Sequence, residues 1–151
     1  MIIDDDRIET VTELRAPVSR VWRALTDYVE FGQWFKVKLD QPFAPGGRST
    51  GHMLEPGWEQ VPWLATVERM EPERLFTFRW HDYDSQSSLP PEDQPTSLVE
   101  FRLEPIPGGT RLTITESGFS TFPEPRRLEA MRSNTQGWDI QAGRIAGHVA
   151  G

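Results

Sequence analysis

Leu128, Met131, Thr135, Trp138, Ala142, Ile145 and Val149 recur at alternating spacings of three and four residues near the C-terminus. That period places them in one stripe along a helix, with Arg127, Arg132, Asp139 and Arg144 left for the outer surface. A helix over residues 124–149 would run about 39 Å at 1.5 Å per residue, enough to cross a whole β-sheet. Gly137, Gly143 and Gly147 interrupt the run. Each costs about 1 kcal/mol relative to alanine in a helix interior, so the helix must draw its stability from packing. Gly137 beside Trp138 suggests a close backbone approach or a bend, and the end near Gly147 is expected to fray. Such a stripe needs an apolar surface to lie on.

The middle of the chain supplies one. Phe76, Phe78 and Trp80 oppose Thr77, Arg79 and His81, and Val99, Phe101 and Leu103 alternate with Glu100, Arg102 and Glu104. Leu112, Ile114 and Glu116 share one face of a following strand, with Arg111, Thr113 and Thr115 on the other. Residues 48–55, 63–70 and 75–81 read as successive strands, broken at Glu55-Pro56-Gly57 and Glu71-Pro72-Glu73. Such short connections indicate hairpins in an antiparallel meander. Residues 82–95 are acidic, Ser- and Pro-rich and nearly free of apolar side chains, and read as a mobile loop, an insertion or a lid.

The N-terminal third has a different rhythm. Residues 7–14 alternate as a first strand. In residues 16–27, A-P-V-S-R-V-W-R-A-L-T-D, Pro17 suits the first helical turn and Val18, Val21, Trp22 and Leu25 follow at helical spacing. Asp27 is suited to cap a second short helix ending at Trp34 and Phe35. The order is therefore strand, two short helices, antiparallel strands and a long final helix, an α+β arrangement expected to form a single domain over residues 1–151.

Composition narrows the function. The 151 residues contain no cysteine, which removes disulfides, thiolate metal sites and cysteine nucleophiles. A formal net charge of −7 without a basic stripe argues against nucleic acid. No apolar run approaches a membrane span, and the start, M-I-I-D-D-D-R, lacks the features of a secretory signal, so a cytoplasmic location is expected. G-x-S-x-G, P-loop and H-E-x-x-H patterns are missing, and neither a cofactor nor a catalytic or metal-binding set is assigned. His52 fits either a cavity wall or a surface strand position. His81, beside Asp82 and Asp84, fits a solvated strand edge better than a metal site.

The segment of residues 16–27 with Trp34-Phe35, then E-S-G-F at residues 116–119, then N-T-Q-G-W at residues 134–138, resembles the homologues of the activator of heat-shock protein 90 ATPase. These belong to the START-like (SRPBCC) superfamily. The resemblance implies a helix-grip (Bet v-like) fold, a curved antiparallel sheet of about six or seven strands around the C-terminal helix, often with a cavity between them. It says little about chemistry, because that superfamily includes lipid carriers, hormone receptors, polyketide cyclases and co-chaperones.

The residues themselves support a cavity through aromatic excess. Trp34, Phe35, Trp63, Phe78, Trp80, Phe101, Phe119 and Trp138, with Met131 as an adaptable neighbour, are candidate wall residues, although the same side chains could simply fill a core. Glu116 lies on the inner face. There it would anchor a ligand or act as a general acid or base, unless it sits at the strand end and caps the loop at Ser117-Gly118. The leading expectation is a module that binds a small apolar or aromatic molecule. A cyclase- or hydrolase-like enzyme using Glu116 is one alternative, and a chaperone-type protein partner is another. Sheet edges and the outer sheet face leave a homodimer open.

Overall fold

The computed structural model describes residues 1–84 and 86–150. An antiparallel seven-stranded sheet has the order β1-β7-β6-β5-β4-β3-β2. Its strands are β1 (Arg7–Leu14), β2 (Val37–Leu39), β3 (Arg48–Met53), β4 (Pro62–Glu71), β5 (Leu75–His81), β6 (Thr96–Ile106) and β7 (Gly109–Ser117). Helices α1 (Val18–Thr26) and α2 (Tyr28–Phe35) follow β1, and α3 (Glu124–Val149) closes the chain. The curved sheet and the long helix against it make the α+β helix-grip arrangement.

Local chemistry explains the boundaries. Asp27 ends α1 and starts α2: its Oδ1 accepts from the backbone N–H groups of Val29 and Glu30, both at 3.0 Å. Pro17 sits one position earlier than expected, as the N-cap of α1 rather than inside its first turn. The strand β2 has no counterpart in the sequence reading, because V-K-L is too short to show a period. It pairs with β3 at Gly51, where a Cβ would lie 2.1 Å from the Lys38 carbonyl oxygen. Only glycine allows that approach.

Helix α3 is continuous through Val149, which is buried, so the expected fraying near Gly147 does not occur. The buried stripe differs from the one read in the sequence. Leu128 is 48% exposed. Four residues back from the buried Met131 is Arg127, which is half-buried, so Leu128 turns outward. Gln141 takes a buried position instead, and Asn134 a half-buried one. Gly137 makes no close backbone approach, since a Cβ there would meet nothing within 4 Å.

The loop over residues 82–95 is tied at both ends. The backbone N–H of Asp82 donates to the Pro95 carbonyl at 2.8 Å. A short 3-10 turn spans Pro91–Asp93, and Gln94 is buried with its Nε2 donating to the Leu89 carbonyl at 2.9 Å. Ser85, within this loop, and Gly151 lie outside the described residues.

Candidate functional site

Register brings the inner-face residues of β5, β6 and β7 to one place. Trp80 lies directly opposite Ser97, and Val99, two residues along β6 on the same face, lies opposite Glu116. Above them, Asn134 and Trp138 are four residues apart and share one face of α3. The side chains of Trp80, Ser97, Asn134 and Trp138 converge on the Glu116 carboxylate, which has no solvent exposure. Its Oε2 accepts from Ser97 Oγ at 2.5 Å, Trp80 Nε1 at 2.8 Å and Asn134 Nδ2 at 3.1 Å. Its Oε1 accepts from Trp138 Nε1 at 2.9 Å and from Asn134 Nδ2 at 3.1 Å. The indoles of Trp80 and Trp138 lie stacked, with centroids 5.5 Å apart and planes inclined at 26°.

Glu116 therefore clamps the helix to the sheet. Burial pushes its carboxyl above the usual range, and the donors of Ser97, Trp138, Trp80 and Asn134 oppose that shift without reversing it. The alternative in which Glu116 reaches solvent at the strand end does not hold. The turn after it is made by Gly118, whose φ of +97° favours glycine and leads into a 3-10 turn at Phe119–Thr121.

Beside this clamp lies a pocket of about 290 Å³, open on one side to solvent. Its wall includes Phe35, Trp63, Trp80, Trp138 and Glu116, which the sequence reading places there. Phe35 meets Trp63, Trp80 and Trp138 at centroid distances of 5.4, 6.2 and 6.0 Å. Five other candidate residues, Trp34, Phe78, Phe101, Phe119 and Met131, are buried in the core and do not line the pocket. Trp34 is held there by its indole N–H, which donates to the Ala24 carbonyl at 2.8 Å. Phe78 and Phe101 pack together at 5.8 Å, filling the centre of the sheet face. Aromatic content alone did not separate wall from filling, because both demand large apolar side chains at inward positions.

The pocket also contains residues that the sequence reading missed. His81 and Asp82 come from the end of β5, Arg126 from the first turn of α3, and Asn134 and Gln141 from its inner face. Arg126 and Asp82 pair in a two-pronged contact, Nε to Oδ2 at 2.8 Å and Nη2 to Oδ1 at 2.9 Å. Nη2 of Arg126 also donates to the Tyr83 carbonyl at 3.1 Å, and its Nη1 to Glu129 Oε1 at 2.5 Å. Asn134 and Gln141 carried one signal in the sequence: a polar residue at a position that the helical period turns inward. Exposed Trp58 and Tyr83 stand at the pocket's rim. His52 is exposed on β3 and outside the pocket.

Among the described residues, no group of three or more His, Cys, Asp or Glu side chains converges on a common point for a metal ion. No helix among them is long and apolar enough to cross a membrane.

Solved structures with this fold confirm the architecture. Protein MLL2253 from Mesorhizobium loti is 22% identical with a TM-score of 0.75, over 94% of this chain and 95% of that one. A protein from Arthrobacter aurescens is 19% identical with a TM-score of 0.80, over 99% of this chain and 89% of that one. DynU16, from the dynemicin biosynthetic locus, is 25% identical with a TM-score of 0.75, over 96% of this chain and 47% of that one. No curated protein matches the sequence. The model of the family described as "Activator of Hsp90 ATPase homolog 1-like protein" matches residues 15–150, and the chain belongs to that family.

Proposed function

We propose that this protein is a binding module for a small, largely apolar aromatic molecule seated in the pocket between β4, β5 and α3. The observation that carries this reading is the wall itself: Phe35, Trp63, Trp80 and Trp138 present ring faces and edges to one open volume of about 290 Å³. That volume lies near the lower end of the roughly 300–1,000 Å³ typical of small-molecule sites, and suits a ligand of one or two fused rings. DynU16, similar over nearly the whole of this chain, comes from the dynemicin biosynthetic locus.

Glu116 contributes architecture to this site. Both of its oxygens accept from protein donors that also fix Trp80 and Trp138, the two indoles of the wall. The arrangement sets the shape of the pocket before any ligand arrives, and a preorganised wall lowers the cost of binding. No titratable group stands among its hydrogen-bond partners, which are Ser97, Trp80, Trp138 and Asn134.

The test is titration with naphthalene, followed by calorimetry, on the native protein and on Gly137→Leu. Gly137 lines the pocket and has open space where a side chain would begin, so a leucine there projects into the opening without a backbone clash. Saturable binding to the native protein that weakens at least tenfold in the variant is the expected result. Binding that is absent, or unaffected by the leucine, refutes the assignment.

A further inference from the structure

Resting on the reading of the pocket as a ligand site, we propose that its occupant carries a methylated ammonium nitrogen on its aromatic body. Tryptophan rings and an excess of carboxylates hold that cation, without hydrogen bonds to the nitrogen. Four of the chain's six tryptophans, Trp58, Trp63, Trp80 and Trp138, border this one volume, with Phe35 and Tyr83 beside them.

The rings form a continuous wall. Trp63 meets Trp80 edge to face at 5.6 Å, and Trp80 stacks on Trp138. An indole is negative over its face and most positive at its N–H edge, and tryptophan attracts a cation better than tyrosine or phenylalanine does. In three of the four tryptophans that positive edge is engaged inside the protein. Trp80 and Trp138 donate to Glu116, and Trp63 donates to Ser49 Oγ at 2.9 Å. Donation to a carboxylate also pushes electron density into the ring, which strengthens its hold on a cation. Trp58 is 56% exposed and completes the wall at the mouth.

The charges around this wall are unbalanced in the same sense. Among the described residues lining the pocket, Arg126 is the only permanent cation. It is outnumbered: Asp82 and Glu129 accept from it, and the Asp84 carboxylate acts on it by charge. His81 turns its Nδ1 to the Gln94 carbonyl at 3.1 Å and is positive only when doubly protonated. Deeper in, Glu116 has no cation among its partners, Ser97, Trp80, Trp138 and Asn134. Burial favours its neutral form, and a positive charge in the adjoining pocket favours the ionised one, so the ligand supplies the missing counter-ion. The two Glu116 oxygens already accept five hydrogen bonds against roughly four lone-pair positions. An N–H of the ligand finds no place there, and a nitrogen bearing methyl groups needs none. Asn134 and Ser133 each carry an oxygen as well as a donor, and favour neither sign of charge. An anion would meet Glu116 and Asp82 instead.

Matched probes test this on the native protein. Benzyltrimethylammonium is compared with neopentylbenzene, which has the same shape with carbon in place of the charged nitrogen, and with benzylamine, a primary ammonium that needs acceptors. Naphthalene reports on the pocket itself. Benzyltrimethylammonium is expected to bind about tenfold tighter than neopentylbenzene, and clearly tighter than benzylamine. Its affinity is expected to fall as sodium chloride rises from about 0.02 to about 0.5 M, while that of neopentylbenzene does not, because carboxylates draw only the charged ligand. In Glu116→Gln, and in Trp58→Leu at the exposed rim, the ratio of ammonium to neopentylbenzene affinity should drop about threefold or more. Naphthalene binding together with neopentylbenzene binding at least as tightly as the ammonium overturns the inference and leaves the pocket assignment standing. Benzylamine binding as tightly as benzyltrimethylammonium overturns the methylated nitrogen. A ratio unchanged in either variant overturns the part given to that residue. Failure of every probe, including naphthalene, overturns both readings. The native comparison decides the sign of the ligand's charge even if Glu116→Gln does not fold.

Discussion

Replacing Glu116 with glutamine keeps the shape of the side chain and removes one acceptor oxygen. With its remaining oxygen at the Oε2 position, Trp80, Ser97 and Asn134 keep a partner, now without charge assistance. The new amide N–H₂ then points at the Trp138 indole N–H, 2.9 Å away, and that buried donor is orphaned. An unsatisfied buried donor costs about 1–3 kcal/mol. At a pH high enough for Glu116 to be ionised in the folded protein, replacing charge-assisted hydrogen bonds by neutral ones costs roughly 1 kcal/mol more, and relief from burying a carboxylate returns part of the sum. The expected net is about 2 kcal/mol of destabilisation, a large share of the roughly 5–15 kcal/mol typical of a folded domain. Urea unfolding followed by tryptophan fluorescence measures it, and near-ultraviolet circular dichroism should report a loosened Trp80–Trp138 pair. Glu116→Ala strips the acceptor from all of these donors and should cost clearly more. A Glu116→Gln protein within about 0.5 kcal/mol of the native one would refute the clamp.

Two carboxyls should give pH dependences of opposite sign. Burial pushes Glu30 up, but hydrogen bonds from His148, Arg20 and Arg23 more than reverse this and hold it at about 2, below its usual 4.5. Its stabilisation is thus present above about pH 4.5 and lost as pH falls toward 2, by an amount on the order of 1–2 kcal/mol after solvent screening; Glu30→Gln should flatten that limb of the stability profile. For Glu116, raised by burial, the folded protein holds a proton that the unfolded chain releases near 4.5, so stability should decline as pH rises from there through the folded value, and Glu116→Gln should remove the decline. Gly137→Ala should stabilise the protein by about 1 kcal/mol in thermal unfolding, because a Cβ meets nothing within 4 Å and the helix loses its most flexible residue type. A double-mutant cycle on Arg126→Ala and Asp82→Ala should give a coupling of about 1–3 kcal/mol, since these side chains are only 16% and 5% exposed and pair through two hydrogen bonds.

Much of the fold was legible in the chain because the elements carry their own periods. Strands β5, β6 and β7 alternate with period two, and α3 announces itself by a stripe of period 3.6. The cap at Asp27 is a local event between neighbouring residues and needed no tertiary information. What failed locally was equally informative. Strand β2 is three residues long and exists through its pairing with β3. Leu128 fits the stripe on paper but turns outward, the half-buried Arg127 taking the inward position.

The candidate site was legible in its parts and illegible as a whole. Glu116 and the aromatic residues stood out by type and by face, yet sequence could not separate Trp63 and Trp80, which border the pocket, from Phe78 and Phe101, which fill the core. The difference lies in where α3 rests on the sheet. Asn134 and Gln141 sit at positions that the helical period turns inward, but only packing shows that they meet Glu116 and the Phe35 carbonyl there. The motifs E-S-G-F and N-T-Q-G-W lie far apart in the chain and meet only when Asn134 and Trp138 donate to Glu116. The sequence by itself determined the periodic elements and their order, because backbone hydrogen bonding and side-chain alternation are local. Only the tertiary structure decided which buried polar atoms find partners, as the Glu116 oxygens do, because satisfaction depends on residues distant in the chain.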